Sequence, residues 1–229
     1  MSKNEKTTNI ELLIECEVRD KNGRILSVHR QPAKSLLKNF AKMLRTILAP
    51  AVPTSAPNYV LSSTASLTDT SGTSKTFYGA YMEYSGASNI FYCGLFPMCA
   101  LAPLGTDAYG IQVGTSASSV NRDQYQLGGK IAHGSGSGQL SYGAMTVEDI
   151  DGTPPETIFR LIRTFTNNTT DPMTVYEIGL IIGNSYENMR TSFAPTTSYF
   201  LIARDVLSSP QTIPAGATLT VRYIFKVTA

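Results

Sequence analysis

Histidine and cysteine are both scarce in this 229-residue chain. The two histidines, His29 and His133, have no neighbouring His or Cys at the spacing of metal ligands, so an imidazole-based metal site is not expected. The three cysteines, Cys16, Cys93 and Cys99, are odd in number and lie in apolar runs. This pattern favours buried free thiols over a disulfide and assembly in a reducing cytoplasm. The sequence therefore predicts no metal and no cofactor.

Charged residues are scarce as well. They make up 16% of the chain, against 42% hydrophobic residues, and the formal net charge is +2. The polarity comes mainly from Ser, Thr, Asn and Gly, a composition typical of turns, strands and protein–protein surfaces rather than of disorder. A nucleic-acid-binding protein is usually more basic, so nucleic acid is not expected as a partner.

Long apolar runs are absent too. No segment approaches the roughly 20 apolar residues that a membrane span requires. The charged N-terminal residues 1–6 are not followed by an apolar signal core. We therefore expect no membrane partner and synthesis in the cytoplasm.

What the chain does contain is strand periodicity, most clearly near its C-terminal end. Apolar and more polar residues alternate over the final segment, which is the period of a strand with one face in a core. The apolar members are Leu219, Val221, Tyr223, Phe225 and Val227. Three further strands are predicted upstream, over residues 157–166, 173–183 and 198–207, with turn-forming residues at 167–172 and 214–216.

An N-terminal hairpin is predicted from the same kind of alternation. Residues 10–18 place apolar side chains on one face and Glu11, Glu15 and Glu17 on the other. A turn at 20–23 allows residues 24–30 to return as a second strand. The hairpin should therefore have an acidic outer face.

After Pro32 the period becomes that of an amphipathic helix, which Pro50 and Pro53 end. Its apolar positions are Leu36, Leu37, Phe40, Leu44, Ile47 and Leu48. Its polar side carries a basic stripe, Lys34, Lys38, Lys42 and Arg45, which we take as interface candidates. One interpretation is a solvated face, and the other is contact with carboxylates of a partner, such as the acidic hairpin of this or a neighbouring copy. DNA is a weaker candidate.

The sequence as a whole divides into three predicted segments. Residues 1–48 hold the hairpin and helix, 49–75 read as an extended arm or long loop poor in large apolar residues, and 76–229 read as a β-sandwich domain. Within the last segment, short strands are predicted at 109–113, 126–132 and 139–147, with a flexible hairpin tip at 134–138. The predicted fold is mainly β, a sandwich of which the jelly roll is one type.

No pattern in the chain predicts catalysis. A phosphate cradle needs a strand before its glycines and a helix after them, whereas a strand is predicted after Gly128 and Gly129. The acidic run of Glu148, Asp149 and Asp151 lies beside Pro154 and Pro155, where a solvated loop tip is the favoured interpretation. We therefore expect neither an enzyme nor a small-molecule substrate.

Several segments together resemble uncharacterised virion structural proteins of tailed bacteriophages. They are RTFTN at 163–167, VYEIGL at 175–180, LIARDVL at 201–207, PAG at 214–216 with the alternating strand after it, and PAKSLLKNF at 32–40. The resemblance implies a capsid, neck or tail component in the virion, whose partners are copies of itself and other virion proteins. It also places Arg204 and Asp205 at the end of an apolar strand, where a partly desolvated pair would serve structure or a subunit contact.

The function expected from the sequence is thus that of a non-enzymatic virion protein that self-associates and docks on a particle lattice. The alternative is a receptor- or carbohydrate-binding module at a particle tip. For that module, Tyr78, Tyr81, Tyr84 and Tyr92 would form the stacking platform. An enzyme ranks third.

Overall fold

The computed structural model describes residues 9–48, 60–85, 90–94, 98–151, 156–186 and 196–228; its side chains are described for 9–48, 64–77, 99–148, 156–184 and 197–228. Within these residues the chain forms thirteen strands and one helix. The prediction of a mainly β fold with one helix near the N-terminus is confirmed. No helix in the described residues has the length and apolarity to cross a membrane.

The elements follow one another along the chain as a hairpin, a helix, a series of short and medium strands, and four long strands. They are β1 (Asn9–Arg19), β2 (Ile25–Pro32), α1 (Lys38–Leu48), β3 (Val60–Thr68), β4 (Ser74–Ser85), β5 (Ile90–Gly94), β6 (Met98–Cys99), β7 (Gly110–Gly114), β8 (Ser141–Tyr142), β9 (Thr146–Asp151), β10 (Glu156–Thr166), β11 (Met173–Tyr186), β12 (Thr196–Ile213) and β13 (Thr218–Thr228). All four C-terminal strands and the N-terminal hairpin appear where the alternation predicts them.

Three antiparallel sheets are built from these strands. The first has the order β2-β1-β13-β10-β8, with β9 also paired to β10. The second has the order β12-β11-β6, with β7 also paired to β11, and the third has the order β3-β4-β5. Because β1 pairs with β13 along its whole length, the N-terminal hairpin belongs to the same sheet as the C-terminal strand.

One hydrophobic core draws on the first and second sheets. From the first sheet it takes Ile14, Cys16, Val18, Leu219, Val221 and Tyr223, and from the second Val113, Ile178, Leu180 and Ala203. Each set comes from alternate positions of its strands, which is how a sheet buries one face. Cys16 is a buried free thiol, as predicted, and burial raises its pKa to about 12. Cys99 is free and half-buried, and the side chain of Cys93 lies outside the described part.

A buried arginine fixes the loop that leads into β7. The guanidinium of Arg163, on β10, donates to the carbonyls of Gly143 at 2.9 Å and of Tyr109 and Ile111 at 3.0 Å. It also lies over the ring of Tyr142, 4.8 Å from the ring centroid. Burial lowers the pKa of Arg163 to about 10. Main-chain carbonyls thus compensate this cation, which holds the 103–111 loop against the sheet.

Three predictions about local structure are wrong. Residues 60–68 of the predicted arm form strand β3, which pairs with β4; residues 49–59 lie outside the described part. Residues 126–132 contribute an isolated bridge between Lys130 and Gly114 rather than a strand. The predicted 139–147 strand is split into β8 and the start of β9. The division into β8 and β9 follows their pairing with β10, which local alternation does not encode.

The buried face of α1 also differs from the predicted one. The helix buries Asn39, Met43 and Thr46, while Leu44 and Ile47 remain exposed. Asn39 can be buried because its amide donates to the carbonyls of Thr68 and Leu201 at 2.8 and 3.2 Å. The interior face of the helix therefore combines satisfied polar side chains with Met43 and Phe40, while Leu44 and Ile47 face outward.

Candidate functional site

Two consecutive residues of β12, Arg204 and Asp205, define the most polar interior region of the described chain. Neighbouring side chains of a strand point to opposite faces of the sheet. Arg204 lies on the face covered by the 115–130 segment, where it meets Glu177 of β11. Asp205 lies on the other face, where its carboxylate contributes to raising the pKa of the buried Tyr223.

The Arg204–Glu177 ion pair is fully enclosed. The Nε of Arg204 lies 2.6 Å from Oε2 of Glu177, and neither side chain is exposed. The Glu177 carboxylate also accepts the main-chain N–H groups of Gly129 at 2.7 Å, Gly128 at 3.1 Å and Ser116 at 3.4 Å. Its charge is therefore met by one cation and three amides, which is what a buried carboxylate needs.

The remaining donors of Arg204 bind the covering segment. They reach the carbonyl of Ser118 and the side-chain oxygen of Gln124, both at 3.1 Å. We call Arg204, Glu177 and the segment they hold the clamp. Because it ties residues 115–130 to the sheet at several points, this segment is rigidly placed without being a strand.

Glycines are required at the clamp because a Cβ would collide there. At Gly129 it would lie 2.7 Å from Oγ1 of Thr115, and at Gly114 2.7 Å from the carbonyl of Gly129. The Gly128-Gly129 pair, considered in the sequence as a phosphate cradle, instead surrounds the chain's own Glu177 carboxylate.

A groove of about 430 Å³ opens beside the clamp. Its walls come from the end of β2 and the residues that follow it, from the clamped segment and from β12. The lining residues are Gln31, Pro32, Lys34, Ser35, Ala117, Ser119, Val120, Asp205, Val206 and Ser208. A side chain completes the edge of β12 here: the amide of Gln31 donates to the carbonyl of Val206 at 3.1 Å and accepts the N–H of Ser208 at 2.8 Å.

Asp205 is the buried acid of this groove. Asp205 is 3% exposed, and its Oδ1 accepts the main-chain N–H of Lys34 at 2.9 Å. Among the described residues, Oδ2 has no hydrogen-bond partner. Burial raises the pKa of Asp205, and hydrogen bonds from the amide of Lys34 and from the hydroxyl and amide of Ser35 oppose that rise. The groove therefore contains a buried acceptor whose hydrogen bonding is incomplete.

The hydroxyl of Tyr223 lies on the core side of this acid. It too has no hydrogen-bond partner among the residues described. Burial, with a contribution from the Asp205 carboxylate, raises its pKa well above the usual value. Tyr223 is completely buried and does not line the groove, so it stays a neutral phenol.

The structure distributes the predicted basic stripe over several environments. Lys34 lines the groove, the ammonium of Lys38 lies 3.0 Å from Oδ1 of Asp123, and the ammonium of Lys42 donates to the carbonyl of Ser66 at 2.6 Å. Arg45 is exposed in the last turn of α1. The stripe residues and Asp205 are thus brought near each other only at Lys34.

The glutamates of the acidic hairpin face form ion pairs with arginines of their own sheet and not with the basic stripe. Glu15 lies 3.0 Å from Arg222 and 3.7 Å from Arg30, and Glu17 pairs with Arg19. Cross-strand ion pairs of this kind stabilise the outer face of a sheet. Within the described residues, the acidic partner of the stripe is Asp123.

The edge strand β2 presents apolar side chains to solvent. Ile25 is 50% exposed, Leu26 is 42% exposed and Val28 is 57% exposed. Among the described strands, β2 pairs with β1 on one side and ends the strand order of its sheet. Sequence reasoning located this strand but not its position at the edge.

Sequence reasoning also missed Glu177 and the groove. A signal for Glu177 was present, since a lone carboxylate stands between the apolar residues Val175 and Ile178. A charge in the middle of a buried strand requires a partner. The groove had no comparable signal, because three distant segments form its walls. The side chains of the four tyrosines proposed as a stacking platform lie outside the described part.

No protein-family profile matches the chain, and neither the curated proteins nor the solved structures compared with it include a match.

Proposed function

We propose that this chain is a non-enzymatic structural protein of a tailed-bacteriophage particle, which self-associates and docks on the capsid, neck or tail lattice. The observation that carries the proposal is the edge strand β2, whose exposed Ile25, Leu26 and Val28 combine apolar surface with an unpaired strand edge. Such an edge is a template for pairing with another chain, and proteins that work alone usually protect it.

The protection of β2 is partial. Arg30 and Pro32 stand at one end of the strand, where charge and a missing N–H discourage pairing. The other end, from Ile25 to Val28, carries no charged side chain after Arg24. A second copy could pair with this half in antiparallel orientation about a two-fold axis, burying the same apolar residues of both copies.

We also infer that the first two sheets form a β-sandwich with jelly-roll connections. Strands β11 and β12 pair as a hairpin in the second sheet, and the strands that flank them in sequence, β10 and β13, pair in the first. This nesting is what results when a long antiparallel ribbon is folded over itself, as in a jelly roll. The shared core of the two sheets supports the same arrangement.

Repetition on a lattice would make a small interface sufficient. A contact too weak to hold an isolated pair becomes strong when each copy is also bound to its neighbours and to the particle. The expected partners are therefore other copies of this chain and other virion proteins.

The proposal can be tested on purified particles of the phage that carries the gene. Antibodies raised against the purified protein should label the particles at repeated positions, and the isolated protein should add to particles that lack it. Absence of label, together with a protein that remains monomeric at high concentration, would overturn the proposal. Binding to isolated sugars without binding to particles would favour the tip module.

A further inference from the structure

We propose that the exposed face of α1 binds an amphipathic helix of another virion protein, one whose apolar stripe is flanked by Asp or Glu side chains. The inference rests on the proposed function for the presence of a particle. The exposed face itself determines the chemistry of the partner. It combines an apolar row with a cationic row, and each row selects one part of that chemistry.

The apolar row lies on the solvent side of the helix. Its members are Ala41, Leu44 and Leu48, and all three are exposed. Leu44 is 39% exposed and Leu48 is 73% exposed. Their spacing of i, i+3 and i+7 places them on one side of an α-helix, and it is the spacing at which a helix contacts a partner groove or helix. The row is therefore an apolar contact surface that lacks a described partner.

The cationic row runs beside the apolar one. Lys38, Lys42 and Arg45 lie on the helix, and Arg122 joins them because its carbonyl accepts the N–H of Lys38 at 3.0 Å. Asp123 lies 3.0 Å from the ammonium of Lys38 and offsets one of these four positive charges. The ammonium of Lys42 donates to a main-chain carbonyl, which carries no net charge. A partner with carboxylates would complement the remaining charge.

Contacts with two sheets hold the helix in place. The amide of Asn39 donates to the carbonyls of Thr68 in β3 and Leu201 in β12, at 2.8 and 3.2 Å. The N–H of Leu37, just before the helix, donates to the carbonyl of Ile202 at 2.9 Å. Because α1 is fixed from both sides, its exposed face is preformed. A preformed surface lowers the entropic cost of binding a partner.

Nucleic acid would match only half of this surface. Binding to phosphates is electrostatic and uses Lys and Arg side chains, so it would engage the cationic row. Leu44 and Leu48 would gain nothing from phosphate, whereas an apolar partner removes them from water. An acidic amphipathic helix satisfies both rows at once, and a protein partner is therefore favoured over DNA.

A second copy of this chain is the weaker candidate. The described residues contain one helix, α1, and it is cationic, so they offer no acidic helix. The glutamates of the hairpin are engaged within their own sheet, since Glu15 lies 3.0 Å from Arg222 and Glu17 pairs with Arg19. The partner is therefore assigned to a different virion protein.

The test adds the purified full-length protein to particles that lack it and measures the fraction that sediments with them. The double variant Leu44→Gln with Leu48→Gln removes the apolar row and should weaken binding by about tenfold or more. The double variant Arg45→Gln with Arg122→Gln should weaken it more at low salt than at high salt, because salt screens the charge contacts.

Matched controls change the same residue types away from α1. Leu104→Gln replaces a leucine that is 76% exposed, and Lys21→Gln replaces an exposed cation in the hairpin turn. Both should bind particles like the wild type. All variants should keep the melting temperature of the wild type, since each change is at an exposed position.

A photocrosslink identifies the partner directly. Leu48→p-benzoylphenylalanine places the reactive group on the apolar row, and mass spectrometry of assembled particles then gives the attached peptide. The peptide should come from another virion protein and carry Asp or Glu three or four residues from its apolar side chains. Attachment to nucleic acid, to lipid or to another copy of this chain would overturn the inference.

The sedimentation outcomes separate this inference from the proposed function. If the wild type binds particles but the leucine double variant binds equally well, or loses no more than Leu104→Gln, only the assignment of α1 falls. If the wild type does not bind particles at all, the proposed function falls and the assignment of α1 falls with it.

Discussion

The two sides of β12 deal with buried charge in contrasting ways. On one side Arg204 and Glu177 form a clamp in which the carboxylate has four hydrogen-bond donors, all from the chain itself. On the other side the Asp205 carboxylate is bound by Lys34 and Ser35 of its own chain, and its Oδ2 has no hydrogen-bond partner among the described residues. Both acids are buried, so burial alone does not separate them.

The two carboxylates differ in how completely the chain itself satisfies their hydrogen bonding. The clamp is complete within one chain, and its cost of desolvation is offset by bonds that hold residues 115–130. On the groove side Oδ2 of Asp205 has no partner in the described part of the chain. Residues of this side belong to β2, which ends the strand order among the described residues and exposes apolar side chains. Under the proposed function, a second chain would cover the exposed apolar side chains of β2.

Removal of the Glu177 carboxylate should give the largest effect and break the clamp. Glu177→Ala leaves the Arg204 cation buried without its partner, and breaking such a pair costs about 3–5 kcal/mol of unfolding free energy. Urea denaturation measures the loss. The control is Glu148→Ala, which removes the exposed Arg160–Glu148 pair and should cost only about 0–1 kcal/mol. Similar losses in the two variants would contradict the assignment of the clamp.

The open side should show the opposite behaviour, visible as a pH dependence. Because the pKa of Asp205 is raised above 3.8 in the folded chain, the folded chain holds more protons than the unfolded chain between the two pKa values. The unfolding free energy should therefore fall as the pH rises through that window. Asp205→Asn removes this loss, so its stability relative to the wild type should increase as the pH rises above 3.8.

Denaturation of both proteins across this pH range checks the sign. A difference between them that stays constant with pH, or a wild type that gains stability as the pH rises, would show that Asp205 is as well satisfied as Glu177. The hydrogen bonding of the Asp205 carboxylate would then be satisfied by the chain itself.

The basic stripe should give the smallest effect, confined to assembly. Arg45 is exposed, so Arg45→Glu should leave the thermal melting temperature unchanged but weaken particle binding. The weakening should be greater at low salt, since the Debye length is about 10 Å at 0.1 M and shrinks at higher salt. Arg45→Gln should show a smaller effect, and binding that is unaffected by either change would assign this residue to a solvated face.

The sequence predicted those parts of the fold that local alternation determines. The residue pattern places β10 and β13 within one residue of their observed ends, next to the turn-forming residues at 167–172 and 214–216. β11 and β12 start where the pattern predicts to within two residues, but β12 runs six residues beyond its predicted end. Residues 126–132 contain similar alternation but are drawn over the sheet by the Glu177 carboxylate. That carboxylate lies almost fifty residues further along the chain, so the local pattern could not reveal it.

The candidate site was predictable only in part. Arg204 and Asp205 were selected as a charged pair in an apolar strand, but strand geometry sends them to opposite faces, and Arg204 takes Glu177 as its partner. The open oxygen of Asp205 depends on how two sheets and the segment after β2 meet. The exposure of Leu44 and Ile47 on α1 similarly depends on polar partners found at Asn39 by tertiary contacts.

The most direct test of the account is the molar mass of the protein in solution, measured by light scattering over a range of concentrations for the wild type and Val28→Lys. We predict that the wild type forms oligomers as concentration rises. Val28→Lys should remain monomeric with an unchanged melting temperature, because the two-fold pairing of β2 would bring like charges together. Val28→Thr, which keeps the strand preference without charge, should still associate. A wild type and a Val28→Lys variant with the same mass at every concentration would contradict the proposal that β2 is the surface through which this protein assembles.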